Sequence, residues 1–264
     1  MGYNFAGAVR ADGTVIMTGK SPDYDAIKPL AKQFKNIVEL YACGTAGLVG
    51  LVGLDHPDPA MRGRVVTACT SGDMNNGKTK MNNALLAADT PNPGDPEEYF
   101  VQISATNNHI VGVTNRGRAI AGGNISNAKL GSTNGGTDIW PGAQIVQVGA
   151  SNENTFGLKA DGTIVYKGSS VNFATATTWT GIKRIIADGN TIIGFQEDGT
   201  ILTQGDNTSG ELSFPWAHDE IEDFYIDTNV TDVTIAKLSN GLWKFWGKDS
   251  FINQNVVDQA CNSL

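Results

Sequence analysis

Short apolar runs recur along the chain, and glycine punctuates them at fixed distances. The first block, Gly7-Ala-Val-Arg-Ala-Asp-Gly-Thr-Val-Ile-Met-Thr-Gly19, reads as an apolar run, a turn centred on glycine, a second apolar run and a closing glycine. The pattern returns at 111–123, 157–168, 194–205 and 235–247. In all five blocks the turn glycine and the closing glycine are six apart (13 to 19, 117 to 123, 162 to 168, 199 to 205, 241 to 247). A looser sixth copy at 61–72 has a step of nine, from Gly63 to Gly72. Asp-Gly, Asn-Gly and Arg-Gly between β-rich runs supply the positive-φ residue that a tight turn needs, so each block predicts a β-hairpin.

The turn glycines 13, 63, 117, 162, 199 and 241 are separated by 50, 54, 45, 37 and 42 residues. A hairpin repeated at a period of about 40 residues is the pattern of a β-propeller blade. A second element recurs before each hairpin: a short apolar strand ending in small or polar residues, at 38–44, 101–107, 146–152, 184–190 and 224–229. A sixth copy, Val256-Val-Asp-Gln-Ala-Cys-Asn262, stands at the C-terminus, while none precedes the first hairpin. The expectation is an all-β, six-bladed propeller spanning 1–264 as one domain. Its last strand would complete the first blade, so that N- and C-terminal segments close the ring and leave no open sheet edge.

Residues 72–79, GDMNNGKT, satisfy the phosphate-loop pattern G-x-x-x-x-G-K-[ST], between an apolar run (64–70) and a plausible helix (80–88). The repeat supplies a different reading. The string occupies the same place in its repeat as Gly205-Asp-Asn-Thr-Ser-Gly-Glu-Leu212, and in both the two glycines are five apart (72 to 77, 205 to 210). It therefore predicts an inter-strand loop rather than a nucleotide site. Asp73 inside the loop would repel phosphate, and no β-α alternation surrounds it.

The 205–212 string, following Asp198-Gly-Thr-Ile-Leu-Thr-Gln-Gly205, resembles the repeat of the regulator of chromosome condensation (RCC1) family, as does 156–168. The resemblance covers the whole chain as six degenerate units and implies the propeller fold. The family's founding member has seven blades and binds nucleosomes and a small GTPase. This chain has six units and no basic stretch suited to nucleosomes, so that activity is not carried over. Asn-, Gly- and Thr-rich, lysine-poor propellers of this type also resemble those of phage tail and fibre proteins and of bacterial surface-binding modules.

Composition narrows the function classes. Net charge is −8 and the pI is about 4.8, which argues against a nucleic acid partner. No run approaches 18 apolar residues, so no membrane insertion is expected. The N-terminus lacks the basic start and apolar run of a signal peptide, and Ala6 spoils a myristoylation pattern. Three cysteines make no disulfide framework and fit a reducing cytosol.

Candidate binding residues lie in two places. The longest departure from the repeat is the insertion loop 73–98, reading as a recognition loop or as a spacer, with a short helix possible at 81–88. It carries Asp73, Asn75, Asn76, Lys78, Lys80, Asn82 and Asn83. Arg62 and Arg64 flank one turn glycine and Arg116 and Arg118 the next, so adjacent blades would gather four guanidiniums, either as a patch for an anionic partner or as solvated turn residues. Phe34, Trp140, Trp179, Trp216 and Phe251 recur at one place in the repeat, as blade packing or as a ring of sugar-stacking sites. Cys43 and Cys261 are equivalent in neighbouring repeats and read, like Cys69, as small core residues. His56, His109 and His218 are scattered without ligand spacing, and no nucleophile or carboxylate pair stands out. No catalytic residue, cofactor or metal is expected. The favoured function is a non-enzymatic binding or structural module of a virion, a phage tail or fibre component contacting other subunits, a host cell-surface receptor or a glycan. The alternatives are a cytoplasmic RCC1-type interaction hub and a carbohydrate-binding propeller.

Overall fold

The computed structural model describes residues 5–19, 22–44, 46–88, 97–124, 135–169, 173–208, 210, 212–213, 221–227 and 233–247. The chain divides into two compact units, one of residues 1–160 with 165–169 and one of 161–164 with 170–264. Among the described residues the structure is mostly β, in six antiparallel sheets.

In the first unit, β1 (Phe5–Val9) pairs with β2 (Val15–Gly19). Three-stranded sheets follow: β3 (Ile37–Cys43), β4 (Gly47–Val52) and β5 (Val65–Cys69); β6 (Phe100–Ala105), β7 (His109–Thr114) and β8 (Ala119–Gly123); β9 (Ile145–Ala150), β10 (Asn154–Lys159) and β11 (Ile164–Gly168), whose first residue falls in the second unit. The second unit holds β12 (Ile182–Asp188), β13 (Thr191–Gln196) and β14 (Ile201–Gly205), then β15 (Ile221–Asp227), β16 (Val233–Leu238) and β17 (Trp243–Gly247). The five hairpins with the six-residue glycine step and the first five junction strands thus fall where the repeat places them, whereas the looser block 61–72 holds only β5, which pairs with β4 across a connection that contains a short 3-10 helix (Pro59–Met61). The sixth junction strand, 256–262, and the ring closure built on it lie outside the described residues. All six turn glycines have positive φ, from 59° at Gly63 to 89° at Gly199.

Two devices tie successive sheets together. The carbonyls of turn glycines 13, 63, 117 and 162 accept from the N–H groups of Ile37, Phe100, Ile145 and Ile182, the first residues of the following sheets, at 2.9–3.0 Å. Just inside, each of those first strands carries a bulge. Pairing passes from Ile37↔Val52 to Glu39↔Leu51, leaving Val38 unpaired and exposed, and the same slip occurs at Val101, Val146, Lys183 and Glu222. A bulge re-aims the side chain that follows it. The Glu39 carboxylate accepts from Ile103 N–H at 2.8 Å, and the Gln102 amide accepts from Val148 N–H at 2.8 Å while donating to Val148 O at 3.1 Å. At Glu39 and Gln102 the residue after the bulge is therefore a hook onto the backbone of the next sheet.

The recurring aromatics are core. Phe34, Trp140 and Trp179 are all buried, and the tryptophan rings cover Gly157 and Gly194, where a Cβ would come within 2.8 and 3.0 Å of the indoles. That supports packing over sugar stacking at these three positions; Trp216 and Phe251 lie outside the described residues.

Two α-helices depart from the all-β expectation, and the first was not foreseen. α1 (Pro22–Ala31) buries Tyr24, Ile27 and Ala31 on one face despite Pro29. α2 (Gly72–Ala88) overturns the loop reading of 72–79 and extends the short helix expected at 81–88 by more than two turns. Ser71 Oγ accepts from Met74 N–H, and Met74, Met81 and Leu85, at i, i+7 and i+11, are fully buried. The asparagine-rich string gave a weak helical signal because its burial-driven stripe is narrow. Tertiary packing, rather than propensity, makes this a helix.

Candidate functional site

The insertion residues sit on α2, and the helix sorts them by direction. Its inner face lies against β5, β7 and β8. Asn82 bonds the outer edge of β5 twice, accepting from Val65 N–H at 3.0 Å and donating to Val65 O at 2.9 Å. Seven residues earlier, Asn75 donates to Cys69 O at 3.1 Å and accepts from Thr67 Oγ1 at 2.7 Å. The two amides stand in for a further strand and cover an otherwise open sheet edge. Asn82→Ala is expected to destabilise by about 2 kcal/mol, because Val65 would keep a buried N–H and C=O without partners. Asn83→Ala, on the exposed side, is expected to stay within about 0.5 kcal/mol. Urea denaturation of the two variants beside the parent checks both, and equal losses would sink the edge-covering role.

The outer face of α2 carries Asp73, Asn76, Thr79, Asn83 and Leu86, all exposed. Asp73 accepts from Asn124 Nδ2 at 3.1 Å. Leu86 is 59% exposed, a large apolar side chain at the end of an amide-rich stripe. Lys78 and Lys80 are half-buried on the flanks. Within GDMNNGKT the Asn75 amide faces the strand edge and Asn76 faces solvent, and as positions of a helix these residues form no phosphate loop.

Three of the four predicted arginines converge, but on acids that sequence reasoning did not single out. Glu98 is fully buried and receives Arg118 at 2.7 Å, with Arg116 4.0 Å away. Arg64, itself buried, pairs with Glu97 at 3.1 Å. Arg62 donates to His56 O at 2.8 Å. The cluster sets three guanidiniums against two carboxylates: Arg64–Glu97 joins the turn of one sheet to the start of the next, and Arg116 and Arg118 join the turn of that next sheet to its own start at Glu98. Adjacent Glu97-Glu98, just before a first strand, was the available signal.

Burial and hydrogen bonding set the remaining titrations. Burial pushes the Glu39 carboxyl up to about 7, against the opposing bond from Ile103 N–H. The Cys69 thiol is pushed up to about 12 by burial, with nearby Lys78 working the other way. Cys43 and Cys69 are both buried free thiols, as core residues should be; Cys261 lies outside the described residues. Asp12, Asp198 and Asp206 are held below the usual carboxylate range by bonds from Thr14, Thr200 and Thr208; the first two pairs close repeated turns and the third lies just after Gly205. His109 is buried between the hydroxyls of Thr106 and Thr155, joining β7 to β10. His56 Nδ1 lies beside Asp58 N, and His218 is outside the described residues. Among the described residues, no group of three or more His, Cys, Asp or Glu is placed to hold a metal.

No protein-family profile and no curated protein matches the chain. Solved structures do. The entire ectodomain of the receptor kinase CR4 from Physcomitrella patens superposes with a TM-score of 0.64 at 13% identity, over 96% of this chain and 64% of that one. The CRINKLY WD40 ectodomain of the Arabidopsis thaliana receptor kinase ACR4 gives 0.58 at 15% identity, over 92% and 80%. Prp20p from Saccharomyces cerevisiae gives 0.48 at 13% identity, over 87% and 60%. The chain thus spans about 64% of the length of the first of these proteins. Its likeness to the two plant ectodomains is one of fold: a mostly β chain of repeated antiparallel sheets, as in β-propellers.

Proposed function

We propose that the protein is a non-enzymatic binding module, a six-bladed RCC1-like propeller whose first sheet is completed by residues 256–262. It serves as a phage tail or fibre component, assembled in the host cytoplasm, that joins other virion subunits or a host-surface receptor or glycan. The observation that carries this reading is α2. It is the long element inserted into the repeat, its inner face is committed to the sheets, and its outer face presents Asn76, Asn83 and the 59%-exposed Leu86. Adaptable amides around an apolar anchor suit protein or glycan recognition. The lysine-poor, acidic composition agrees with a partner other than nucleic acid.

The test offers purified protein in parallel to intact bacterial cells and to clarified lysate. The comparison variant is Asn76→Lys/Asn83→Lys/Leu86→Glu, which alters the outer stripe and leaves buried Met74, Met81 and Leu85 in place. Cell binding by the parent, lost in the variant, supports host attachment. Specific capture from lysate without cell binding replaces the reading with an intracellular hub. Cell binding that the variant retains removes α2 from the role.

A further inference from the structure

A cleft of about 420 Å³ opens between α1 and α2, over β5. Its buried lining is apolar: Phe34, Ile37, Val52 and Val65, with half-buried Val66 and Met61 beside them. Leu30, 40% exposed, stands on the α1 side. The polar groups are Lys35 after α1, Lys78 and Asn82 on α2, Thr67, Gln33 and His56. Among the described residues no acidic side chain lines the cleft, although acids outnumber basic residues 27 to 19 in the chain. Among the described residues neither lysine forms an ion pair.

Two ammonium groups with no ion-pair partner among the described residues, beside an apolar wall, select for a particular class of ligand. A cation would be repelled, and an inorganic anion would leave half-buried Val66 and Met61 and exposed Leu30 uncovered. A neutral hydrocarbon would leave both lysines beside a desolvated contact without a counter-charge. The volume lies within the usual range for small-molecule sites. Lys78 is the lysine of the GKT string, and the helix places it on this flank instead of in a phosphate loop.

We propose that the cleft binds a small amphipathic anion: an aliphatic body against Phe34 and Val66, carrying a single carboxylate or phosphate head held between Lys35 and Lys78. The site is separate from the outer stripe of α2 and stands whether or not that stripe binds a partner.

Isothermal titration calorimetry on the full chain tests it, with octanoate, decanoate, octyl phosphate, 1-octanol and octyltrimethylammonium as probes. Octanoate or octyl phosphate is expected to bind, the tighter of the two naming the head, and decanoate to exceed octanoate by roughly fourfold per added methylene. Lys35→Gln/Lys78→Gln is expected to weaken anion binding at least tenfold while leaving the melting curve in place. Val66→Trp, which fills the cleft, is expected to abolish it. Binding of 1-octanol as tight as octanoate, unchanged affinity in the double lysine variant, or no anion binding at millimolar concentration would each overturn the proposal. Retained binding in a Val66→Trp protein whose melting curve matches the parent's would place the anion elsewhere and overturn it too.

Discussion

Gly77→Ala is expected to destabilise the protein by about 3 kcal/mol, although alanine is the better helix former by roughly 1 kcal/mol. Gly77 sits in the middle of α2, where the helix backbone meets β8 directly. A Cβ there would fall 2.6 Å from Gly122 C and 2.9 Å from Gly123 Cα. Those are backbone atoms of a paired strand, so no side chain can swing aside. The helix would have to lift, pulling Met74, Met81 and Leu85 out of the cluster they share with Phe100, Ile103 and Ile110. Gly72→Ala provides the control, since its Cβ would meet nothing within 4 Å. Urea denaturation should separate the two clearly: a large loss for Gly77→Ala and little change for Gly72→Ala. Parent-like stability in Gly77→Ala would contradict the close helix–strand approach.

Glu39→Gln is expected to stabilise the protein above neutral pH and to remove one source of pH dependence. Burial raises the Glu39 carboxyl to about 7 from an ordinary value of 4.5. Between those values the folded state holds a proton that the unfolded state has released. Stability therefore falls as pH rises through this window, by an amount on the order of 3 kcal/mol once Glu39 is fully ionised. Asp12, Asp198 and Asp206 have depressed values and lose their contributions only in more acidic solution, outside the window. Glutamine keeps an oxygen for Ile103 N–H and carries no charge to desolvate. Gln102 already fills the corresponding position one sheet later and bonds both backbone groups of Val148. Denaturation curves from pH 5 to 9 should show the variant converging on the parent at the acid end and exceeding it at the alkaline end. Identical slopes for both proteins would rule out Glu39 as the titrating group.

Five hairpins and five of the junction strands were legible because they are local. Asp-Gly, Asn-Gly or Arg-Gly between apolar runs marks a turn, and five repetitions at a fixed step reinforce each other. Trp140 and Trp179 were legible as packing for the same reason, since their repeat position places them over the middle-strand glycines Gly157 and Gly194. The candidate site was less legible. The arginines were identified by their turns, but Glu97 and Glu98, which decide their electrostatics, stand before β6, the start of the next sheet for Arg64 and of their own sheet for Arg116 and Arg118. Asn75 and Lys78 were picked out as members of a loop, and Asn82 as part of a short helix within the insertion. Their actual roles depend on a helix that sequence propensity alone does not favour.

By itself, the sequence determined the repeated unit: the turn glycines, the strand order within each sheet and the acidic, glycine-rich character of the chain. These depend on backbone conformations reachable by one or two residues and on charges that simply add. Only the tertiary structure decided which way the insertion faces, which carboxyl is buried at Glu39 and which lysines line a cleft. Each of those depends on apposition across sheets, where a contact of a few ångströms joins residues dozens of positions apart. Gly77 is the clearest case: in sequence it completes a phosphate-loop pattern, and in the fold it is glycine because two backbones touch.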